Sequence, residues 1–125
     1  EKALEYHNKA LEKRINELSL QHPHIATSYN NIGTLYYVLR KNDKALEYYN
    51  KSLKILVNIF GKEHPDIATL YCNIGLTYIN QENYSKALEY INKSQSIKEK
   101  SFGKDHEQTK KLIEIITNLE KQIQK

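Results

Sequence analysis

Little in this chain can bend or cross-link it. Its 125 residues contain two prolines, four glycines and one cysteine, Cys72. So few helix breakers favour an all-helical chain. A lone cysteine excludes an internal disulfide and fits a reducing compartment. No apolar run approaches the roughly 20 residues that a membrane span needs. There is no glycine-rich phosphate loop and no G-x-S-x-G nucleophile motif. Of 19 basic residues only Arg14 and Arg40 are arginine, the side chain best suited to grip phosphate or base edges. The net charge of +4 therefore reads as a solvated surface, and a nucleic-acid role is disfavoured. The chain opens on Glu1 without a signal peptide, inside a repeated pattern, and reads as an excerpt from a longer protein.

What the chain does have is a period of 42 residues. Lys2-Ala3-Leu4-Glu5-Tyr6 returns at 44–48 and again at 86–90. Ile25-Ala26-Thr27 returns at 67–69, and Asn31-Ile32-Gly33 at 73–75. Setting residues 2–43 against 44–85 without a gap gives 19 identities in 42 positions. A fixed period of this size marks stacked supersecondary units, whose usual work is to hold other molecules.

Each unit reads as a helix pair. Ile25, Tyr29, Ile32, Tyr36 and Leu39 recur at helical spacing and predict a helix over 24–40. Ala45, Leu46, Tyr49, Leu53, Leu56 and Phe60 predict a second over 44–60, with Asp43 as its N-cap. Gly61 suits a helix end, and Pro65 suits the first position of the next helix. The cycle then predicts helices over 66–82, 86–101 (Ser85 as cap) and 107–125, after a first helix over 2–18. Gly33 and Gly75, inside helices, point to close approach within a pair, with Ala45 and Ala87 opposite them.

These residues resemble a known family. Tyr71-x-x-Ile74-Gly75-x-x-Tyr78 followed by Ala87, and Tyr29, Ile32, Gly33, Tyr36 and Ala45 before it, look like the tetratricopeptide repeat. The 42-residue unit is similar to the lengthened repeats of kinesin light chains. The resemblance implies a right-handed α-α superhelix of about six helices and a single domain over 1–125. Within it, 2–20 would be the second helix of a partial repeat, 24–60 and 66–101 full repeats, and 107–125 the first helix of a partial or capping repeat. The last helix departs from the pattern, with Thr117 where glycine would fall and Glu120 where tyrosine would fall. Ser52 and Ser94 stand where the family usually has alanine.

In such stacks the first helix of each pair lines a concave face. At 100° per residue that face carries Thr27, Asn31, Thr34 and Val38, then Thr69, Asn73, Leu76 and Asn80. On the last helix it carries Asn118 and Gln122, in a stripe with Lys111 and Ile115. The two complete pairs show no lysine or arginine there, so an acidic tail is not the expected ligand. Asparagine both donates to and accepts from a peptide backbone. Asn31 and Asn73 match a position that resembles a peptide-contacting asparagine of kinesin light chain repeats, or else they bridge neighbouring helices. The resemblance implies a non-catalytic scaffold that binds a protein or peptide partner in this groove. Packing through outer and edge surfaces into a cytoskeletal or ciliary assembly is the alternative. No cofactor, metal, membrane or small-molecule substrate is expected, and the location expected is cytoplasmic or cytoskeleton-associated. Self-association through exposed end helices is also expected. The histidines at 7, 22, 24, 64 and 106 read as loop and capping residues, Cys72 as a half-buried structural thiol, and the tyrosines as core wedges.

Overall fold

A computed structural model describes residues 22–125. Among them are five helices: α1 (Pro23–Val38), α2 (Asn42–Phe60), α3 (Pro65–Asn80), α4 (Tyr84–Phe102) and α5 (Glu107–Gln124). The helix expected over 2–18 lies outside the described residues. The chain divides into two compact units, residues 1–61 and 62–125. The first contains the α1–α2 hairpin, and the second contains the α3–α4 hairpin with α5 packed on α4. None of these helices is long and apolar enough to cross a membrane.

Both hairpins turn in the same way. Arg40 and Glu82 adopt left-handed φ values of 62° and 59°. Lys41 N–H donates to the carbonyl of Tyr36 and Arg40 N–H to that of Tyr37. Asn83 and Glu82 repeat this with Tyr78 and Ile79. These paired bonds satisfy the last carbonyls of α1 and α3. The left-handed residue ends the helix early and lets the next begin two residues sooner than the sequence suggested. Asp43 accordingly sits in the first turn of α2, with Lys41 at the cap, and Ser85 lies inside α4. Asn83 caps α4, its side chain accepting from Lys86 N–H at 3.4 Å.

The long loops end α2 and α4 at Gly61 and Gly103, both at positive φ near 80–90° (81° and 87°), a region glycine enters without steric cost. Pro65 then opens α3 as expected. His22, His64 and His106 each accept through Nδ1 from the N–H two residues on, at 3.1, 3.1 and 3.2 Å. The loop histidines are therefore helix caps.

Each hairpin closes on its glycine. A Cβ built on Gly33 would lie 2.8 Å from the Tyr49 ring, and one on Gly75 would lie 2.7 Å from the Ile91 side chain. Ala45 and Ala87 are fully buried. Ser52 and Ser94 are buried too, and each Oγ donates at 2.7 Å to a carbonyl of the paired helix, Ala26 and Ala68. This explains a serine where alanine is usual: its hydroxyl is satisfied inside the hairpin. The buried face of α2 thus includes Tyr48, Ser52 and Ile55, while Phe60 is exposed.

Six of the tyrosines wedge within the hairpins. Tyr48 of α2 lies between Tyr36 and Tyr29 of α1, with ring centroids 5.6 and 5.9 Å away. Lys51 Nζ stands 4.8 Å from the Tyr48 centroid. Forty-two residues on, Tyr90 lies 5.7 and 5.9 Å from Tyr78 and Tyr71, with Lys93 Nζ at 4.9 Å. A cation over aromatic faces is attracted by the ring quadrupole, so these lysines pack on the tyrosines of their own hairpins.

Candidate functional site: the inner cleft of the second unit

The residues proposed for the concave face divide between the units. In the first, Thr27, Asn31, Thr34 and Val38 all reach solvent, Val38 to 69%. Thr27 Oγ1 donates to the Pro23 carbonyl at 3.1 Å. Thr34 Oγ1 donates to the Asn30 carbonyl at 3.0 Å and lies 3.1 Å from the Tyr49 hydroxyl. That hydroxyl supplies the proton of the second bond, since Thr34 has only one. Burial pushes the Tyr49 phenol above its ordinary range, with the Thr34 bond opposing it. Thr34 is thus tied into its own hairpin.

In the second unit a cleft of about 330 Å³ opens among three helices. Thr69, Cys72 and Asn73 line it from α3, Ser94 and Lys98 from α4, and Gln108, Lys111, Leu112 and Ile115 from α5. Thr69, Asn73, Lys111 and Ile115, expected on the stripes of their helices, all line this cleft. Leu76 and Asn80 are half-buried further along α3, and Asn118 and Gln122 are exposed on α5, but none of these four lines the cleft. Sequence reasoning missed Lys98. It belongs to a second helix, and its long side chain reaches α5, donating to Gln108 Oε1 at 2.5 Å.

Lys98 brings to the cleft a cation from a second helix that the stripe of the first helices did not include, beside Lys111, which the stripe of the last helix already carried. No carboxylate is among the lining residues. Both cations are partly occupied, Lys98 by Gln108 and Lys111 by Glu107 Oε1 at 3.8 Å. An exposed pair of the second kind contributes little. Burial raises the Cys72 thiol above its ordinary range, and Lys98 opposes that shift. A thiol held protonated is a poor nucleophile. It packs instead beside the core cluster of Ala87, Ile91, Leu112 and Leu119. The cleft therefore offers apolar side chains from α5, amide and hydroxyl groups, and two amines.

Comparison with known proteins decides the family. The profile of the tetratricopeptide repeat matches residues 1–56 and 25–100. The chain belongs to the tetratricopeptide repeat family. Among solved structures, BtubC (BKLC) from P. vanneervenii is similar, with a TM-score of 0.84 at 21% identity over 96% of this chain and 48% of that one. TPR-like repeats of kinesin light chain type from Podosopora anserina give a TM-score of 0.81 at 16% identity, over 94% of this chain and 56% of that one. The N-terminal domain of stress-induced protein-1 from C. elegans gives 0.67 at 21% identity, over 88% of this chain and 76% of that one. Identities this low establish the fold, an all-α tetratricopeptide solenoid. The chain spans about half the length of the first two structures. A search of curated protein sequences finds no match. Tetratricopeptide folds are protein–protein interaction scaffolds, generally without catalysis of their own.

Proposed function

We propose that this segment is a non-catalytic scaffold that holds a peptide segment of a partner protein along its inner face, with the cleft of the second unit as the principal contact. The observation that supports this most is the convergence of Thr69 and Asn73 with Leu112 and Ile115 on one cleft. An apolar floor accepts one side chain of the peptide, and each fully buried aliphatic group contributes about 1.5–3 kcal/mol. The Asn73 amide serves the peptide backbone, and Asn31 does the same one repeat earlier. Lys98 and Lys111 set a preference against basic ligands, since bringing a third cation to them costs energy. Two features favour protein over nucleic acid: arginine is scarce, and six tyrosines, three in each hairpin, pack ring against ring.

The test is selection of binding peptides from a random library on the intact chain, followed by affinity measurement on variants. Asn31→Ala with Asn73→Ala should weaken the selected peptides about tenfold, on the order of the 1–1.5 kcal/mol a net hydrogen bond provides. Ile115→Lys should weaken them further. Unchanged affinity in both variants would remove the inner-face reading and leave packing through outer and edge surfaces.

A further inference from the structure

The cleft of the second unit carries charge that the repeat does not require. Three of its lining residues, Lys98, Gln108 and Lys111, stand 42 positions after Leu56, Asp66 and Thr69. The earlier three carry one negative charge and the later three carry two positive ones. Both hairpins nonetheless close on the same cap, turn and serine bond. The two cations are therefore no part of what holds a repeat together.

The groups left over for a ligand are donors. Thr69 Oγ1 and Ser94 Oγ already give their protons to the carbonyls of Pro65 and Ala68. Lys98 Nζ spends one of its three N–H bonds on Gln108 Oε1, at 2.5 Å. It also lies 5.5 Å from the Phe102 ring centroid. With its oxygen engaged, Gln108 has its NH2 group to offer, which only donates. Lys111 follows Gln108 by three positions and projects from the same side of α5. Glu107 Oε1 stands 3.8 Å from its Nζ, in a pair whose side chains are 71% and 83% exposed. Such a pair contributes little and yields easily to a stronger anion. Two ammonium groups and an amide thus face one cleft, beside the apolar Leu112 and Ile115, and no carboxylate lines it.

We propose that this cleft reads a phosphorylated side chain of the partner, phosphoserine or phosphothreonine, through Lys98, Gln108 and Lys111. The proposal rests on the reading of the cleft as a peptide site. A phosphoryl group carries about 1.5 to 2 negative charges at neutral pH and three acceptor oxygens. It matches two cations and an amide in both charge and donor number. A carboxylate brings one charge and two oxygens, and leaves one ammonium unmatched. Lysine meets phosphate as a point charge and needs no arginine fork. Phosphorylation of the partner then switches its hold on the scaffold.

The test uses three pools of one short, degenerate, fluorescently labelled peptide, with phosphoserine, glutamate or serine fixed at the centre. Each is titrated with the intact chain at about 150 mM salt, where distant surface charges are screened. Anisotropy should show the phosphoserine pool binding at least about tenfold more tightly than the serine pool, and at least about threefold more tightly than the glutamate pool. Lys98→Met with Lys111→Met should bring the phosphoserine-to-serine ratio below about twofold. Lys111→Gln alone, at an exposed position, should lower it about threefold and carries the test if the double variant does not fold. Lys54→Met with Lys62→Met removes the same charge from residues that do not line the cleft, and should leave the ratio in place. Equal affinity for phosphoserine and serine, or for phosphoserine and glutamate, would overturn the phosphoryl assignment and leave the cleft a peptide site. A ratio that survives both cleft variants, or falls as far in the control, would overturn it too. Binding of none of the pools would overturn both this proposal and the reading beneath it.

Discussion

The α1–α2 and α3–α4 hairpins share their fastenings and differ in their filling. Both have a histidine cap, a left-handed turn residue, a serine-to-carbonyl bond and a lysine-covered trio of tyrosines, all offset by 42 residues. Opposite the helical glycine, however, the first hairpin places the ring of Tyr49 and the second the branched chain of Ile91. The ring is rigid and bonded to Thr34 through its hydroxyl, whereas Ile91 is a buried β-branched chain with one preferred χ1 well, and the Ala87 carbonyl stands 3.3 Å from the same Cβ position. What the repeat keeps is the set of directional contacts. What it lets vary is the group that occupies the remaining volume.

The largest expected effect breaks that comparison at its point of closest contact. Gly33→Ala and Gly75→Ala should each destabilise by about 1–3 kcal/mol, the range of core overpacking. Ile91→Val should recover part of the second loss, and urea denaturation of the single and double variants measures the coupling. Equal losses at the two glycines would mean that ring and branched chain yield alike.

A second comparison sets α5 against α1 and α3. At the position of Ile25 and Ile67, α5 carries Thr109, fully buried, with its Oγ1 unpartnered among the described residues. Thr109→Val should stabilise by about 1–2 kcal/mol, because a hydroxyl buried without a partner costs roughly that much. Thermal unfolding reads the gain, and a loss would show that the hydroxyl does find a partner in solution.

The smallest effect concerns the turns. Arg40 and Glu82 take up a left-handed conformation that glycine adopts more readily. Arg40→Gly and Glu82→Gly should each stabilise by about 0.5–1 kcal/mol, the left-handed penalty less the added freedom of the unfolded glycine. Their midpoints should rise by similar amounts, sharpening the view that the two turns are equivalent.

Much of this was legible before any coordinates. The period located both hairpins, and Gly33 and Gly75 announced the close approach because a glycine inside a helix costs energy unless something needs its space. Gly61, Pro65 and the histidine caps were legible for the same local reasons. The starts of α2 and α4 were not, because Arg40 and Glu82 hold a conformation their side chains do not advertise. Half of the site was legible from helical spacing, which aligned Thr69 with Asn73 and Lys111 with Ile115. Lys98 escaped because a periodicity assigns a residue to a face of its own helix, while a long side chain can cross to the next one. Thr109 escaped because a threonine at a helix start looks like any polar first turn.

The central claim is that a partner's peptide occupies the cleft walled by α3, α4 and α5. Cys72 lines that cleft and is the only cysteine in the sequence, so its alkylation rate reports directly on occupancy. With a saturating selected peptide the account predicts that alkylation of the intact chain slows at least about fivefold, as expected when a bound ligand excludes the reagent from all but the free fraction. Tight binding with an unchanged Cys72 rate would contradict it, placing the partner elsewhere on the molecule.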